Sequence, residues 1–518
     1  MDFMKFKWED KLKEFRERRD KVMAMGGEKA VERQHKRNKL TARERIEKFF
    51  EPDTFVENYE FIKKRVNDFG LEKKEIAADG VVTGYGKVNG RYVCVWSQDF
   101  TAHGGTMGEQ HGFKVSEIIN RAMWQGIPVV GMMDSGGARL QEGMQAGHLG
   151  YGRIIMANVQ VSGVIPQFAL VMGNCGGGGG YLPALHDICF MVREKGTMFI
   201  GGPHFCKTVI GEDATVEELG GSNMHSQVTG ICDLQVDDDE ECLEKTKELL
   251  SFLPSSCNSP IPVVNTGDNP NRKNEKLLDI VPADHTKSYD MHRVIEEIVD
   301  NGHFFEIKPE YAKNLIIGFA RFGGTPVGLM ANQPNYLAGC FDVEAGTKIA
   351  RFIRFCNAFN IPLVSLTDTP AYLVGTDQEQ KGVIKHGCKG LFAYAEADVP
   401  KINIVLRKAY AGGYANMGNK SMGCDVVLAW PTAVLIIVVP EGAIDVFYPR
   451  GKFSEEVRLA ELEKYYKDYI NPWFMAERGF IDGVIEPEDT RMRIIKALHF
   501  LKDKKVSTPK KKLGNIYL

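Results

Sequence analysis

Two glycine-rich segments of this sequence could bind an anion through their backbone N–H groups. The first runs from Asn174 to Gly180 and ends in five consecutive glycines, and the second runs from Arg407 to Tyr414. Glycine has no Cβ, so the N–H groups of such a segment stay open to a ligand. A helix that begins in either segment would add its positive end to the attraction. Both segments therefore indicate oxyanion sites.

Two further segments could supply the remaining donors. The segment DSGGARLQEG begins at Asp134 and DTPAYLVGT begins at Asp368, and each aspartate closes an apolar run. Ligands of open α/β sheets bind outside the carboxyl ends of the parallel strands. We therefore expect each half of the chain to form a two-donor oxyanion hole.

The two halves repeat each other at a fixed offset of 234 positions. Independent domains would not keep one ungapped spacing for so long, so the chain contains a duplicated unit. Beyond the glycine segments the offset lengthens by four, because Asp187 matches Asp425, which predicts an insertion at 417–421. The pairs at the main offset include Gly90 and Gly324, Lys114 and Lys348, Asp134 and Asp368, Pro166 and Pro400, and Gly178 and Gly412.

Each copy predicts three strands and one helix. Apolar residues recur at helical spacing from Val115 to Met123 and from Ile349 to Cys356, which predicts an amphipathic helix after the first strand of each copy. The resulting order is a β-α-β crossover, twice, in an α/β fold. The strands are expected at 92–99, 128–133 and 167–172, and at 326–333, 362–367 and 401–406.

The remaining segments suggest how the chain is organised. Residues 8–35 are typical of one charged helix, and a capping box of Thr41 and Glu44 predicts a second helix through Phe50. From Pro254 to Asn274 the composition shifts to Pro, Ser and Asn, as in a linker. We therefore expect an N-terminal domain at 1–260 and a C-terminal domain at 276–518.

Composition favours small-molecule chemistry. The net charge of −3 gives no excess of positive charge that would indicate binding to nucleic acid or to an acidic membrane surface. The eleven cysteines are scattered without a CxxC pair, so we expect reduced thiols rather than disulfides or a zinc module. We find neither a signal peptide nor a membrane span of ~18 apolar residues, and we expect a soluble, cytoplasmic protein.

Simpler interpretations compete at several positions. A glycine run is often a flexible turn, but two runs at equivalent places after apolar strands disfavour that interpretation. A dinucleotide site is disfavoured because the G-x-G-x-x-G spacing is missing. Ser135 is more consistent with a turn serine than with a nucleophile, because GxSxG is absent. His386 fits a packing or capping role better than that of a base.

Four charged side chains have simple structural interpretations. Glu142, Lys114 and Lys348 are most simply helix-surface charges. Arg139 could meet a phosphate group of a ligand or form a structural salt bridge, and the sequence favours neither.

Several motifs together carry a resemblance to a known family. They are DSGGARLQEG at 134, NCGGGGGYLPAL at 174, GTDQEQKGVIKHG at 375, RKAYAGGY at 407, AWPT at 429 and ERGFIDGVIEPEDTR at 477. In this order they resemble the carboxyltransferase subunit of biotin-dependent acyl-CoA carboxylases. The propionyl-CoA carboxylase β subunit and the methylmalonyl-CoA decarboxylase α subunit are the most similar types, and the likeness covers roughly residues 30–500.

The resemblance implies a fold and an assembly. The fold would be two tandem crotonase-like β-β-α spiral domains of the ClpP/crotonase superfamily, related by internal duplication. The assembly would be a hexamer, a trimer of dimers, with active sites where the N-terminal half of one subunit faces the C-terminal half of another. The resemblance also implies carboxybiotin on a separate carrier, a biotin carboxylase partner, acyl-CoA as substrate and no metal. Neither nucleic acid nor direct membrane insertion is expected.

The resemblance and the duplication together assign the site residues. Carboxyl transfer passes through an enolate and a biotin oxyanion, and two holes match these two anions. We assign the catalytic Gly177 and Gly178 to the thioester carbonyl, and the catalytic Gly412 and Gly413 to the biotin oxygen, although which hole serves which partner stays open. The flanking residues are Gly137, Ala138 and Arg139 on the acyl-CoA side, and Ala371 and Tyr372 on the biotin side.

Two other functions stay open at this point. One is the α subunit of a biotin-dependent acyl-CoA decarboxylase coupled to a membrane ion pump. The other is a crotonase-type hydratase or isomerase, for which Glu142 is the candidate acid/base. Gly179, Gly180, Ala371 and Ala415 depart from the family pattern, so the acyl group and the direction of transfer are not assigned.

Overall fold

The computed structural model describes residues 7–509 and 512–517. Contacts between residues divide the chain into two compact units, 1–259 and 260–518. The outer ends of the predicted domains, at residues 1 and 518, lie outside the described residues. Each unit is built around one eight-stranded sheet in the described part of the chain.

Unit 1 contains strands β1 to β8 and helices α1 to α10. The strands are β1 (Val56–Asn58), β2 (Val81–Val88), β3 (Arg91–Gln98), β4 (Val129–Ser135), β5 (Gln167–Gly176), β6 (Ile188–Val192), β7 (Thr197–Phe199) and β8 (Leu234–Val236). The helices are α1 (Trp8–Met23), α2 (Glu28–His35), α3 (Ala42–Phe49), α4 (Glu109–Gln125), α5 (Gly152–Val161), α6 (Tyr181–Leu185), α7 (Pro203–Ile210), α8 (Val216–Gly220), α9 (Ser222–Gln227) and α10 (Asp239–Leu250).

Unit 2 contains helices α11 to α20 and strands β9 to β16. The helices are α11 (Leu277–Ile280), α12 (Met291–Ile298), α13 (Val343–Ala358), α14 (Thr376–Gln380), α15 (Val383–Glu396), α16 (Ala411–Met417), α17 (Pro440–Phe447), α18 (Glu455–Tyr469), α19 (Trp473–Glu477) and α20 (Thr490–Leu501). The strands are β9 (Phe304–Ile307), β10 (Leu315–Phe322), β11 (Thr325–Asn332), β12 (Leu363–Thr369), β13 (Lys401–Tyr410), β14 (Val426–Ala429), β15 (Val434–Ile436) and β16 (Gly483–Val484).

The two sheets have the same topology. The first has the order β1-β2-β3-β4-β5-β6-β8, with β7 paired to β5, and the second has the order β9-β10-β11-β12-β13-β14-β16, with β15 paired to β13. The first three strands of each sheet are antiparallel and the rest are parallel. α4 and α13 make the crossovers into the parallel part, as the apolar spacing predicts. The parallel strands β4 and β12 are buried along their whole length, as strands covered on both faces should be.

The predicted strands and the Thr41–Glu44 capping box are confirmed, and the single charged helix at 8–35 is wrong. The chain breaks between α1 and α2, because Met25 and Gly27 adopt positive φ angles of 52° and 85°. Gly27 favours this conformation because it lacks a Cβ.

The duplication extends further than the matched residues indicate. α3 and α12 precede the first strands of the two units, and α10 and α20 follow the last strands, so each pair occupies equivalent places. The predicted insertion is confirmed, since Asp187 accepts the Gln167 N–H at 2.9 Å and Asp425 accepts the Lys401 N–H at 2.8 Å. Between these pairs, unit 2 adds a short turn at Lys420–Met422.

The segment predicted as a linker packs against unit 2. Arg272 donates hydrogen bonds to the carbonyl oxygens of Glu297 and Val299, and the Asn274 N–H donates to the Glu488 carbonyl. None of the eleven cysteines, all of them in the described part of the chain, is assigned to a disulfide. Among the described residues, no helix has the length and apolarity needed to span a bilayer.

Candidate active site

The loop after β4 is held by a parallel bridge between Met107 and Ala138. The Met107 N–H donates to the Gly137 carbonyl at 2.9 Å, and the Arg139 N–H donates to the Met107 carbonyl at 2.8 Å. The bridge therefore uses the neighbours of Ala138, and we find no acceptor for the Ala138 N–H among the described residues. This N–H is available to a ligand.

The loop after β12 has the same construction. Phe341 and Tyr372 form the bridge, with the Phe341 N–H donating to Ala371 at 3.0 Å and the Leu373 N–H donating to Phe341 at 2.7 Å. As at Ala138, the Tyr372 N–H has no acceptor in the part of the chain that the structure describes.

The first glycine segment opens a helix immediately after β5. A tight turn covers Gly177–Gly180, α6 follows from Tyr181, and Gly177 has a φ of 58°. The first N–H groups of a helix have no intrahelical partner, so this turn leaves donors free at the end of β5. A Cβ built on Gly137 would lie 3.3 Å from the Gly176 carbonyl oxygen, so the two loops of unit 1 are in close contact.

The second segment brings its predicted residues together directly. α16 begins at Ala411, whose φ is 44°. A Cβ on Gly412 would lie 3.1 Å from Cε2 of Tyr372, and one on Gly413 would lie 2.9 Å from Cα of Ala371. By position in the repeat, Gly412 and Gly413 correspond to Gly178 and Gly179, so the catalytic pair predicted in unit 1 begins one residue earlier than its counterpart.

An apolar cavity of about 920 Å³ lies beside the second loop in unit 2. Its wall includes Ala411, Tyr414, Leu435, Ile437, Phe447 and Phe474.

A buried ionic network fixes the start of the first loop. Asp134 is fully buried, and its carboxylate accepts from Lys39 at 2.6 Å, Gln34 at 3.0 Å and Arg45 at 3.3 Å. A buried carboxylate needs such partners to remain charged. Asp134 therefore anchors the loop rather than facing a ligand.

Asp368 anchors the second loop with different partners. It accepts from Nε of Arg407 at 2.8 Å, from the Tyr289 hydroxyl at 2.9 Å and from the Lys408 N–H at 3.1 Å. Gly173 stands at the position of Arg407 in unit 1, where a Cβ would lie only 2.0 Å from the Asp134 carboxylate.

The Arg139 side chain forms the structural salt bridge that was one of its two interpretations. It is fully buried and donates to Asp79 at 2.6 Å, to Glu142 at 2.7 Å and to the Thr106 carbonyl at 2.9 Å. Burial raises the pKa of Asp79, and Arg139 opposes that rise. In this structure the buried guanidinium holds the loop in place and is not accessible to a phosphate.

The surface interpretation of Glu142 is wrong. The residue is buried, and its carboxylate accepts from Arg139 and from the Glu109 N–H at 2.7 Å. Glu142 therefore caps the first turn of α4, whose N-cap, Gly108, has no side chain to do so.

The surface interpretation of Lys114 and Lys348 is also wrong. Lys114 donates to the Ala78 and Val81 carbonyls, and burial lowers its pKa to about 8. Burial likewise lowers the pKa of Lys348 to about 7. The Lys348 ammonium reaches four carbonyls, those of Lys308, Tyr311, Ala312 and Leu315, at 2.6 to 3.3 Å.

The two remaining candidates have the local roles expected of them. Ser135 donates to the Gly105 carbonyl at 2.7 Å and accepts the Gly137 N–H at 3.1 Å, as a turn serine does. His386 contacts the Thr347 hydroxyl at 3.0 Å, and burial together with nearby lysines lowers its pKa.

Two residues beside the first loop were missed by sequence reasoning. Asp79 and Tyr151 correspond to Lys313 and Lys385 in unit 2, so the repeat gave no signal for them. Tyr151 ends a π-helical turn at Ala146–Tyr151, which periodicity does not predict.

The carboxyl transferase domain family matches residues 33–516, and the chain belongs to that family. It is 46% identical to methylmalonyl-CoA decarboxylase subunit alpha of Veillonella parvula, over 98% of this chain and 99% of the relative. It is 45% identical to the propionyl-CoA carboxylase carboxyltransferase subunit of Haloferax mediterranei, with the same coverage. The resemblance stated from the sequence is confirmed.

Solved structures give the same result for the fold. Transcarboxylase 12S with methylmalonyl-coenzyme A and methylmalonic acid bound matches with a TM-score of 0.97 at 44% identity, over 100% of both chains. A single-chain long-chain acyl-CoA carboxylase matches with a TM-score of 0.80 at 24% identity, over 96% of this chain and 50% of its own, which concerns the fold alone. The tandem crotonase-like fold is confirmed.

Proposed function

We infer that this chain is an acyl-CoA carboxyltransferase that moves a carboxyl group between carboxybiotin on a partner carrier and an acyl-CoA. The observation that carries this function is the pair of equivalent loops, each with an unpaired N–H at a bridge residue, Ala138 or Tyr372, beside a glycine helix start. One hole would serve a hydratase, whereas carboxyl transfer creates two anions that both need fixed donors.

The chemistry can be written for this chain's own groups. In the direction of decarboxylation, the bond between the acyl-CoA carbon and the carboxyl group breaks, and its electron pair remains as the enolate. The carboxyl group bonds to the biotin nitrogen as the N–H bond of that nitrogen breaks, and the proton passes to the enolate carbon. Gly177 and Gly178, with Ala138, hold the thioester oxygen, while Gly137 and Arg139 shape the loop that carries Ala138. This assignment needs neither a side-chain base nor a metal.

The second hole holds the deprotonated ureido oxygen of biotin. We propose Gly412 and Gly413 as its donors, with the unpaired Tyr372 N–H as a further donor and Ala371 beside it. Their close packing supports this assignment. Biotin itself supplies the nitrogen that carries the carboxyl group.

The proposal includes partner proteins and an assembly. The chain would act with a biotin carboxylase and a biotin carboxyl carrier, in the cytoplasm, as a trimer of dimers. The relatives support the partners and the hexamer, since one of them is a carboxylase subunit and transcarboxylase 12S is a hexamer.

The α subunit of an acyl-CoA decarboxylase is the second candidate. It is favoured by the 46% identity to a methylmalonyl-CoA decarboxylase subunit. The hydratase alternative loses its candidate base, because the Glu142 carboxylate is buried and bonded to Arg139 and the Glu109 N–H.

The test offers the purified chain free biotin with malonyl-, methylmalonyl-, glutaconyl- and longer carboxyacyl-CoAs and follows loss of the carboxyl group. We expect biotin-dependent loss with at least one thioester. Turnover that is independent of biotin, or no turnover with the whole panel, would contradict the proposal.

Ala138→Pro and Gly412→Pro then test which hole serves which partner. Each substitution deletes one N–H, and we expect a fall in kcat of about 10²-fold. Ala138→Pro should change how the reaction rate depends on the acyl-CoA concentration. Gly412→Pro should change how the rate depends on the biotin concentration. The opposite pattern would exchange the two holes.

A further inference from the structure

The phenol of Tyr151 lies along the first turn of the glycine helix in unit 1. The residue is 6% exposed and ends the π-helical turn. A Cβ on Gly178 would lie 2.9 Å from the tyrosine ring, and one on Gly179 would lie 3.4 Å from its hydroxyl oxygen. The ring thus explains why position 178 is glycine. Turns of the π type concentrate at functional sites.

The hydroxyl of Tyr151 has no hydrogen-bond partner of ordinary geometry among the described residues. Buried polar groups nearly always have one, so an orphan of this kind calls for an explanation. Burial raises the pKa of Tyr151, and the Gly179 N–H, which approaches the hydroxyl oxygen, opposes that rise. The phenol therefore keeps its proton at neutral pH and has it free to donate.

The second loop has an aromatic ring at the corresponding place but a different arrangement. There the ring beside Gly412 belongs to Tyr372, whose hydroxyl is already bonded to the Asn416 amide. The position that corresponds to Tyr151 is Lys385. A tyrosine at the sequence position of Tyr151 is therefore not a requirement of the repeated fold, since unit 2 has Lys385 there.

We propose that the Tyr151 hydroxyl is a third donor to the thioester oxygen in the first hole. The inference rests on the proposed function and deepens it. As the carboxyl group leaves and the enolate forms, the phenol O–H donates to the oxygen that gains charge, alongside Ala138 and Gly178. Tyr151 keeps its proton throughout, so no bond of the enzyme is made or broken.

The kinetic test is Tyr151→Phe, which keeps the ring and removes the hydroxyl. We expect kcat for biotin-dependent decarboxylation of methylmalonyl-CoA to fall about 10²-fold, with KM and Tm little changed. The matched control is Tyr394→Phe, which removes another buried hydroxyl from α15 in unit 2 and should leave kcat unchanged. A Tyr151→Phe variant with wild-type kcat would overturn the inference.

A spectroscopic test does not depend on turnover. The infrared carbonyl band of bound propionyl-CoA, labelled with ¹³C at the carbonyl, should move to lower frequency in wild type and move less in Tyr151→Phe. Identical bands in the two proteins would overturn the inference, and so would a parallel loss of binding and Tm. A wild type that shifts the band but never turns over with biotin would contradict the proposed function and leave the donor role supported.

Discussion

The aspartates that anchor the two loops show what the duplication has kept and what it has changed. Asp134 and Asp368 are equally buried at the ends of equivalent strands. The cations of Asp134 come from the α2–α3 region, whereas Asp368 pairs with Arg407 on the neighbouring strand β13. The position of the buried charge is common to both units, and the source of its partner is not.

The backbone of the two units shows the same contrast. Positions with positive φ recur at the offset of 234, but the residues differ. Gly137 and Gly177 have φ angles of 98° and 58°, whereas Ala371 and Ala411 adopt 117° and 44° at the equivalent positions. Alanine is strained in this region and glycine is not. The loop shape has therefore persisted even where the residue that favours it is missing.

The largest expected effect tests the two anchors. Arg407→Met removes the one side-chain cation bonded to Asp368 in the described part of the chain and should cost about 3–5 kcal/mol. Lys39→Met leaves Asp134 with Arg45 and Gln34 and should cost about 1.5–3 kcal/mol. Hydrogen exchange of peptides from β12 and β4 measures each loss in its own unit.

Lys408→Met is the control for Arg407→Met, because the Lys408 contact with Asp368 is made by its backbone N–H. Equal losses from Arg407→Met and Lys39→Met would contradict the difference between the anchors.

A smaller effect tests the backbone contrast. Gly137→Ala imposes a Cβ at a φ of 98° and should destabilise unit 1 by about 1–3 kcal/mol. Ala371→Gly relieves the strain and should be neutral or stabilising by up to about 1 kcal/mol, because added freedom in the unfolded chain offsets part of the gain. Denaturant unfolding measures whether each substitution lowers or raises the free energy of unfolding.

Gly179→Ala is the control, since a Cβ there has its nearest contact at 3.4 Å and needs no unusual φ. Losses of the same sign at Gly137 and Ala371 would contradict the strain at Ala371.

The smallest effect concerns the helices that precede the sheets. His292 at the start of α12 contacts Asp290 and Glu306 at 2.8 and 3.0 Å, and these partners raise its pKa to about 9. Its folded pKa exceeds its unfolded value of about 6.5, so the added stability is complete below pH 6.5 and is lost as pH rises through 9. The equivalent α3 is capped by Thr41 and Glu44 instead.

Because His292 is 36% exposed, solvent screening limits this contribution to about 0.5 kcal/mol. His292→Gln should flatten the pH dependence of unit 2 stability between pH 7 and 9.5, as measured by thermal unfolding. An unchanged slope in the variant would contradict the assignment.

The sequence predicted the parts that depend on periodicity and spacing. Strands β3, β4 and β5, their copies and the insertion after α16 followed from apolar runs and the fixed offset. The loops were located for the same reason, since parallel strands end at one edge of a sheet.

Sequence reasoning missed charged side chains that are buried instead of exposed. Lys114 and Lys348 were assigned to the surface because lysine is rarely buried. A signal was nevertheless present: Lys114 lies four residues before Ile118, and Lys348 four residues before Phe352, on the same apolar helix faces. Asp79 gave no comparable signal, because it meets Arg139 across 60 residues of sequence.

Because Lys114 and Lys348 are buried, their chemical modification can report when each unit opens. An amine-reactive reagent cannot reach the amine of either lysine while its unit is closed, since the two side chains are 0% and 2% exposed. Modification of Lys114 would therefore time the opening of unit 1, and modification of Lys348 that of unit 2. Peptide mass spectrometry could thus follow both openings in one intact, otherwise unlabelled chain.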